Sequence, residues 1–274
     1  MLSLREIAGA LSAGRALPPR AVALAFYNGF ASVFRVARLL LSAAGLPYAV
    51  FVASDGLDQG GADLLGWDEL RTLKAEGVEI GTRGAANRPL WRLDAAGRTG
   101  DLNRAIARFE AELGGRPVLL AYPDGEYDGP TQASALEAGF EAAFALASGP
   151  WHAGSDRYAL PRFELNGRYA DPDRVALIAR TLPLAITGLE PAGPVLAATP
   201  EVVAFTVGVE AESLDGLACY QSGGGRLALE RSAARRVKLL LARPFGRGHD
   251  NRINCTLPAP DGALRWLGLQ FVVP

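Results

Sequence analysis

Ala21-Val-Ala-Leu-Ala-Phe-Tyr-Asn-Gly-Phe30 is the stretch on which the reading of this chain turns. Apolar residues run from Ala21 to Phe26 and stop at Tyr27-Asn28-Gly29. An unbroken apolar run closed by a Gly-containing turn fits an internal strand of a parallel sheet, buried on both faces. In α/β folds the C-terminal end of such a strand is where ligands bind. Tyr27 and Asn28 fall at that end.

Working outward, the same alternation of elements repeats. Leu4 to Leu11 reads as a short amphipathic helix, ended by the Pro18-Pro19 break before the strand. Val33, Val36, Ala37, Leu40 and Leu41 recur at helical spacing and the pattern stops at Gly45. Tyr48 to Val52 is the next strand, Trp67 to Glu76 a helix, and Val78 to Ile80 a strand leading into Thr82 to Arg88. Asp101 to Leu113 reads as a helix with Asp101 as its cap or first-turn acid. Val118 to Tyr122, Thr131 to Ala138 and Ala142 to Leu146 supply a strand, a helix and a strand. Strands alternating with single helices across short loops predict a parallel β/α architecture over residues 1–182.

After residue 182 the pattern changes. Residues 183–200 carry four prolines and read as a linker. Residues 201–274 hold six short β-type runs separated by Gly, Asp and Pro signals, which predicts an all-β sandwich. Within it, Cys219 and Cys255 could lie on neighbouring strands, with buried free thiols as the expected state and a disulfide only in an exported protein. Trp266 and Tyr220 read first as packing residues, with a sugar-binding face as the sharper alternative.

Composition narrows the function. A net charge of -1 gives no electrostatic reason to expect nucleic acid or an anionic membrane as partner, and no apolar run has the length of a membrane span. The basic cluster from Arg231 to Lys238 reads as a solvated strand edge or turn. The first 20 residues lack the apolar core of a signal peptide, so a cytoplasmic location is expected. Two histidines, His152 and His249, cannot easily supply a hydrolytic metal site. His152 reads as a surface or packing residue, and His249 as part of a hairpin turn.

On these residues the chain resembles the polysaccharide deacetylases, the NodB-homology group also called carbohydrate esterase family four, over about residues 2–165. Ala25-Phe26-Tyr27-Asn28-Gly29 stands where that family has Thr-Phe-Asp-Asp-Gly. Gly45 to Val52 and Trp67 to Gly81 match the family's framework, and Ala121-Tyr-Pro-Asp-Gly-Glu-Tyr-Asp128 resembles its third loop. Leu160-Pro161-Arg162 resembles the end of the family's barrel. The fold implied is a distorted (β/α) barrel of the deacetylase type followed by the small sandwich. In the family, the first Asp of the first motif is the catalytic base, and the second holds a divalent metal with two histidines. Carried over, the base becomes Tyr27 and the metal ligands become Asn28, Arg83 and Asn87.

Those replacements change the chemistry. Zn²⁺ is held by imidazole nitrogen and carboxylate oxygen. Asn28 and Asn87 offer neutral amide oxygens, and the guanidinium of Arg83 is always charged and never a ligand. A divalent ion about 4 Å from that charge would be repelled by roughly 8 kcal/mol at an effective dielectric near 20. A phenol titrating near pH ~10 cannot easily serve as the base either. No metal, no cofactor and no catalytic residue is therefore expected. Tyr27 reads as a packing residue or a sugar-stacking platform, and Arg83 as the partner of Asp124 or Asp128 or as the holder of a ligand's anionic group.

The expected substrate-binding set is Tyr27, Asn28, Arg83, Asn87, Tyr122 and Asp124. The expected function is that of an inactive deacetylase-like protein in polysaccharide biosynthesis or modification. It would bind a polysaccharide or oligosaccharide, an anionic one included, or partner an active deacetylase or another biosynthetic protein. Two alternatives stand beside it. One is a metal-independent carbohydrate hydrolase using Asp124, Glu126 and Asp128. The other is a protein-interaction module with a silent pocket.

Overall fold

The computed structural model describes every residue except Glu212, Ala233 and Ala234, and every side chain except those and Arg168, His249 and Asp250. The chain divides into two compact units, residues 1–144 with 156–160, and residues 145–155 with 161–274.

The first unit is built on a five-stranded parallel sheet, β1 (Leu24–Tyr27), β2 (Tyr48–Val52), β3 (Glu79–Thr82), β4 (Leu119–Ala121) and β5 (Ala142–Phe144), in the order β1-β2-β3-β4-β5. Strand order that never reverses means every crossover has the same hand, so the helices gather on one face. This is the winding of a (β/α) barrel, not of a doubly wound sheet. The crossovers carry α2 (Arg38–Ala43, entered through a π-turn at Val33–Ala37), α3 (Ser54–Gln59), α4 (Trp67–Ala75), α5 (Ala95–Leu113) and α6 (Gly129–Glu137).

Alternation along the strands sorts the two faces. Val50 and Val52 of β2 pack with Leu57, Leu70, Leu73 and Phe109 from the helices. The opposite face carries Tyr27, Phe51, Gly81, Ala121 and Phe144, which are register partners or their neighbours along adjacent strands. There Phe51 stacks on Tyr27 at 5.0 Å and meets Phe144 edge-on at 5.5 Å. Gly81 makes this possible, since a Cβ at that position would lie 2.4 Å from the Phe51 ring. Helix α1 (Leu4–Ser12) is capped by Ser3 and held by Glu79, whose carboxylate accepts the Leu4 and Arg5 N–H groups at 3.0 and 3.2 Å. A carboxylate facing the first turn answers both the free N–H groups and the helix dipole.

The second unit is a sandwich. One sheet runs β10 (Gly225–Arg226), β9 (Ala218–Gln221), β13 (Gly248–Pro258), β14 (Leu264–Val273), β6 (Leu182–Pro183), and the other β11 (Ala228–Arg231), β12 (Arg236–Leu240), β8 (Val202–Val207), β7 (Ile186–Glu190). Val203, Phe205, Val237, Leu239, Ile253, Leu257, Leu269 and Phe271 form a single core from both sheets.

Three expectations need correction. Residues 183–200 are not a linker: β7 pairs with β8, β6 pairs with β14, and Leu196 N–H donates to Val272 O at 2.9 Å. Proline content misleads here because Pro sits at sheet edges and bends as readily as in linkers. The change of unit instead falls between residues 144 and 161. Helix α5 begins at Ala95 with Asp94 as its cap, so Asp101 lies in its second turn. Cys219 and Cys255 are not free thiols; they are register partners on β9 and β13 and form a disulfide.

Trp266 is a packing residue, edge-on to Phe163 at 5.3 Å with its indole N–H donating to Asn254 Oδ1, whereas Tyr220 is exposed. The basic cluster is partly structural, because the Arg235 guanidinium donates to the carbonyls of Val207, Gly208 and Ala211. His152 accepts the Gly154 N–H on Nδ1 at 3.1 Å, a loop-shaping role. The His249 side chain lies outside the described residues.

Candidate functional site

Parallel strands in register bring the loops after β1, β3 and β4 to one end of the sheet. These loops, with Tyr27 at the end of β1, carry all six residues expected to form the site, and backbone conformation explains how they are presented.

Asn28 and Gly29 both have positive φ, 72° and 60°. Asn tolerates this left-handed conformation better than most residues, and Gly29 is required there, since a Cβ would fall 2.7 Å from Val52 Cγ1. Asn-Gly therefore keeps a sharp turn while presenting an uncharged amide, and the Asn28 side chain is exposed.

The loop after β3 is pinned from several sides. Arg83 N–H donates to Val52 O at 2.8 Å, and Gly84 N–H to Thr82 Oγ1 at 3.1 Å. Buried Asp101 accepts from Ala85 N–H at 2.8 Å and Ala86 N–H at 3.1 Å. Asp55 N–H donates to Ala85 O from the first turn of α3. Gly84, at φ 79°, must lack a side chain because a Cβ would lie 2.4 Å from Asp101 Oδ1. The segment ends at exposed Asn87, with φ 52°.

Within this loop Arg83 is 5% exposed and its Nε is buried without a hydrogen-bond partner. Lying two residues after Gly81, it continues the face that carries Phe51 and Tyr27. Burial pushes the guanidinium pKa down from its ordinary value, and Asp124 partly offsets this. No described carboxylate lies within salt-bridge reach of Arg83, so neither expected partner forms an ion pair with it. Asp128 is committed elsewhere, capping α6 through Thr131 N–H at 2.8 Å and Thr131 Oγ1 at 2.5 Å.

In the third loop Asp124 is exposed at φ 56° and followed by Gly125 at φ 70°, a turn built on two left-handed residues. Glu126 is buried and accepts the Trp91 indole N–H at 2.6 Å. Tyr122 departs from expectation. It follows Leu120 by two residues and so turns to the helix-covered face, where it is fully buried, stacks on Tyr127 at 5.3 Å and donates its hydroxyl to Tyr158 O at 2.9 Å. It shapes the loop from behind and offers no atom to a ligand. The expected site thus reduces to half-buried Tyr27, exposed Asn28, Asn87 and Asp124, and buried Arg83.

Asp101 was the residue sequence reasoning misplaced. The signal was present: Asp101, Ala105 and Phe109 recur at i, i+4 and i+8, all buried. An acid on the apolar stripe of a helix needs a buried partner, and here the partners are backbone N–H groups of the Arg83 loop.

The winding and the loops gathered at the strand ends define this unit as a (β/α) barrel-type domain. Residues 14–143 match the family model described as polysaccharide deacetylase. Solved structures share the fold. The deacetylase PplD of Streptococcus pyogenes in complex with acetate is 18% identical with a TM-score of 0.61, over 65% of this chain and 78% of that one. IcaB from Ammonifex degensii is 21% identical with a TM-score of 0.60, over 65% and 81%. The BpsB deacetylase domain of Bordetella bronchiseptica is 21% identical with a TM-score of 0.51, over 59% and 77%. No curated protein matches the sequence.

The divalent metal that this family implies does not fit the residues present. Asn28, Arg83 and Asn87 supply two neutral amides and a fixed cation where anionic or imidazole donors are needed. Among the described residues no group of three His, Cys, Asp or Glu side chains could hold a metal ion.

Proposed function

We propose that this protein is a metal-free member of the polysaccharide deacetylase family that recognises a glycan in polysaccharide biosynthesis or modification without removing acetyl groups. The observation that carries the reading is Arg83: a buried cation stands where the family resemblance places a metal-binding histidine, on a loop whose N–H groups from Arg83 to Ala86 are all hydrogen-bonded. The scaffold for presenting three loops to a sugar is kept, and the donors for a Lewis acid are replaced.

A metal-independent hydrolase is less well supported. Glycoside hydrolysis needs two carboxyl groups facing the same bond. Of the three acids in the third loop, Glu126 is buried against Trp91 and Asp128 caps α6, which leaves Asp124 facing solvent.

Metal content and acetate release test the proposal together. Protein purified without chelator is expected to carry no stoichiometric zinc, nickel or cobalt, and to release no acetate from N-acetylglucosamine oligomers with any of them added. Stoichiometric metal with turnover overturns it. Glycan-array binding separates recognition from a purely protein-docking role.

No described helix is long and apolar enough to cross a membrane. The Cys219–Cys255 disulfide is of a kind retained in oxidising compartments. It supports placing the protein outside the cytoplasm, in place of the location expected from the first 20 residues.

A further inference from the structure

Arginines at the surface of the first unit show what this protein ordinarily does with a guanidinium. Arg5 meets Glu141, Arg38 meets Glu76, Arg104 meets Asp55 and Asp101, and Arg108 meets Asp58 and Glu112. Each pair is at least partly solvated, so each could do without its partner. Arg83 reverses the pattern. It is 5% exposed, its Nε has no acceptor, and among the described residues it lacks a carboxylate within reach.

A buried charge without a counter-ion is strongly unfavourable, and proteins ordinarily pair such groups or replace them. Here the neighbourhood fixes the cation instead of relieving it. The clamp from Asp101 to Ala85 and Ala86, the Thr82–Gly84 contact and the Arg83–Val52 bond leave the loop little freedom to swing the residue into water. Asp101 spends both oxygens on those backbone groups and on Arg104, so it cannot neutralise Arg83. Asp124 attracts it only from an exposed position on the next loop. Such a cation is prepared for an anion that arrives from outside.

We propose that Arg83 holds the carboxylate of an acidic sugar, so that the glycan recognised is a carboxylate-bearing one, such as a uronate polymer. The inference rests on the glycan-recognition reading above. A planar guanidinium forks onto a carboxylate through two parallel N–H donors. The exposed amides of Asn28 and Asn87 supply neutral donors and acceptors for ring hydroxyls. Asp124 is then a competing counter-charge, and removing its charge strengthens binding.

The test uses the intact protein with two probes of the same linkage, cellotetraose and a β-1,4-linked glucuronate tetramer, measured by titration calorimetry. The acidic tetramer is expected to bind at least about 10-fold more tightly, as charge-assisted hydrogen bonds allow. Arg83→Met keeps the aliphatic stem and removes the charge. It is expected to abolish the preference while leaving the ligand-free melting temperature unchanged or raised, and Asp124→Asn to increase the preference.

Equal or tighter binding of the neutral tetramer overturns the carboxylate inference and leaves the glycan reading standing. Binding of neither probe by folded protein counts against both. A ligand-free Arg83→Met protein that melts several degrees lower also overturns the inference, because Arg83 would then be structurally paired.

Discussion

At Arg83 and Asp101 a single side chain's surroundings decide what the loop can do. Asp101 sits on the buried stripe of α5 with Ala105 and Phe109, yet it is charged, and its oxygens accept two backbone N–H groups from the neighbouring loop. Hydrogen bonds to a charged group contribute about 1.5–3 kcal/mol each, and a buried group left without its partner costs a similar amount. Asp101→Asn keeps one acceptor oxygen and turns an N–H₂ toward a backbone N–H. The expected loss of stability is about 2–3 kcal/mol, read from urea denaturation. Loss of the acidic-glycan preference should accompany it, because the Arg83 loop is then released. A change below about 0.5 kcal/mol would show that the loop holds itself without Asp101.

Among the elements, α6 and the turn before it show how one acidic loop divides its labour. Asp128 caps the helix by accepting from Thr131 N–H and Oγ1, with Pro130 at an early helical position where its missing donor is harmless. Asp128→Ala is expected to cost about 1 kcal/mol, a typical value for loss of an N-cap, with glycan affinity unchanged at saturating stability. A change in binding without a change in melting temperature would instead make Asp128 a ligand-contacting residue. Strand β4 decides the fate of the residues around it in the same way. Its two-residue alternation carries Leu120 and Tyr122 to the helix-covered face and leaves Ala121 on the face of Phe51 and Phe144.

For the molecule as a whole, the two units rest on separate cores and only the second is cross-linked. Cys219 and Cys255 join adjacent strands of the five-stranded sheet, 36 residues apart in sequence and both fully buried. A disulfide stabilises chiefly by restricting the unfolded chain, typically by about 2–4 kcal/mol. Replacing both cysteines with serine should lower the melting temperature of the sandwich, while the signal of the first unit stays in place. Calorimetry with the two transitions resolved checks this, and a thiol titration of the denatured, unreduced protein should find no free thiol. Two free thiols under non-reducing conditions would remove the disulfide and with it the argument for an oxidising compartment.

Much of this was legible in residues 21–30 and their surroundings. Apolar runs ending in Gly-containing turns, alternating with helical spacing, were enough for the β/α unit, and short β-type runs were enough for the sandwich. The identity of the altered positions was legible as well, since Asn28, Arg83 and Asn87 are read directly from the chain. Local pattern carries such information because side-chain period and turn chemistry act over a few residues. Tertiary structure decided the rest. Whether Arg83 has a counter-ion, whether Asp101 caps a helix or clamps a loop, which face Tyr122 takes, and whether residues 183–200 link or pair all depend on what lies opposite in space. Burial and hydrogen-bond satisfaction are properties of neighbours brought together by the sheet, and a linear sequence does not state who those neighbours are.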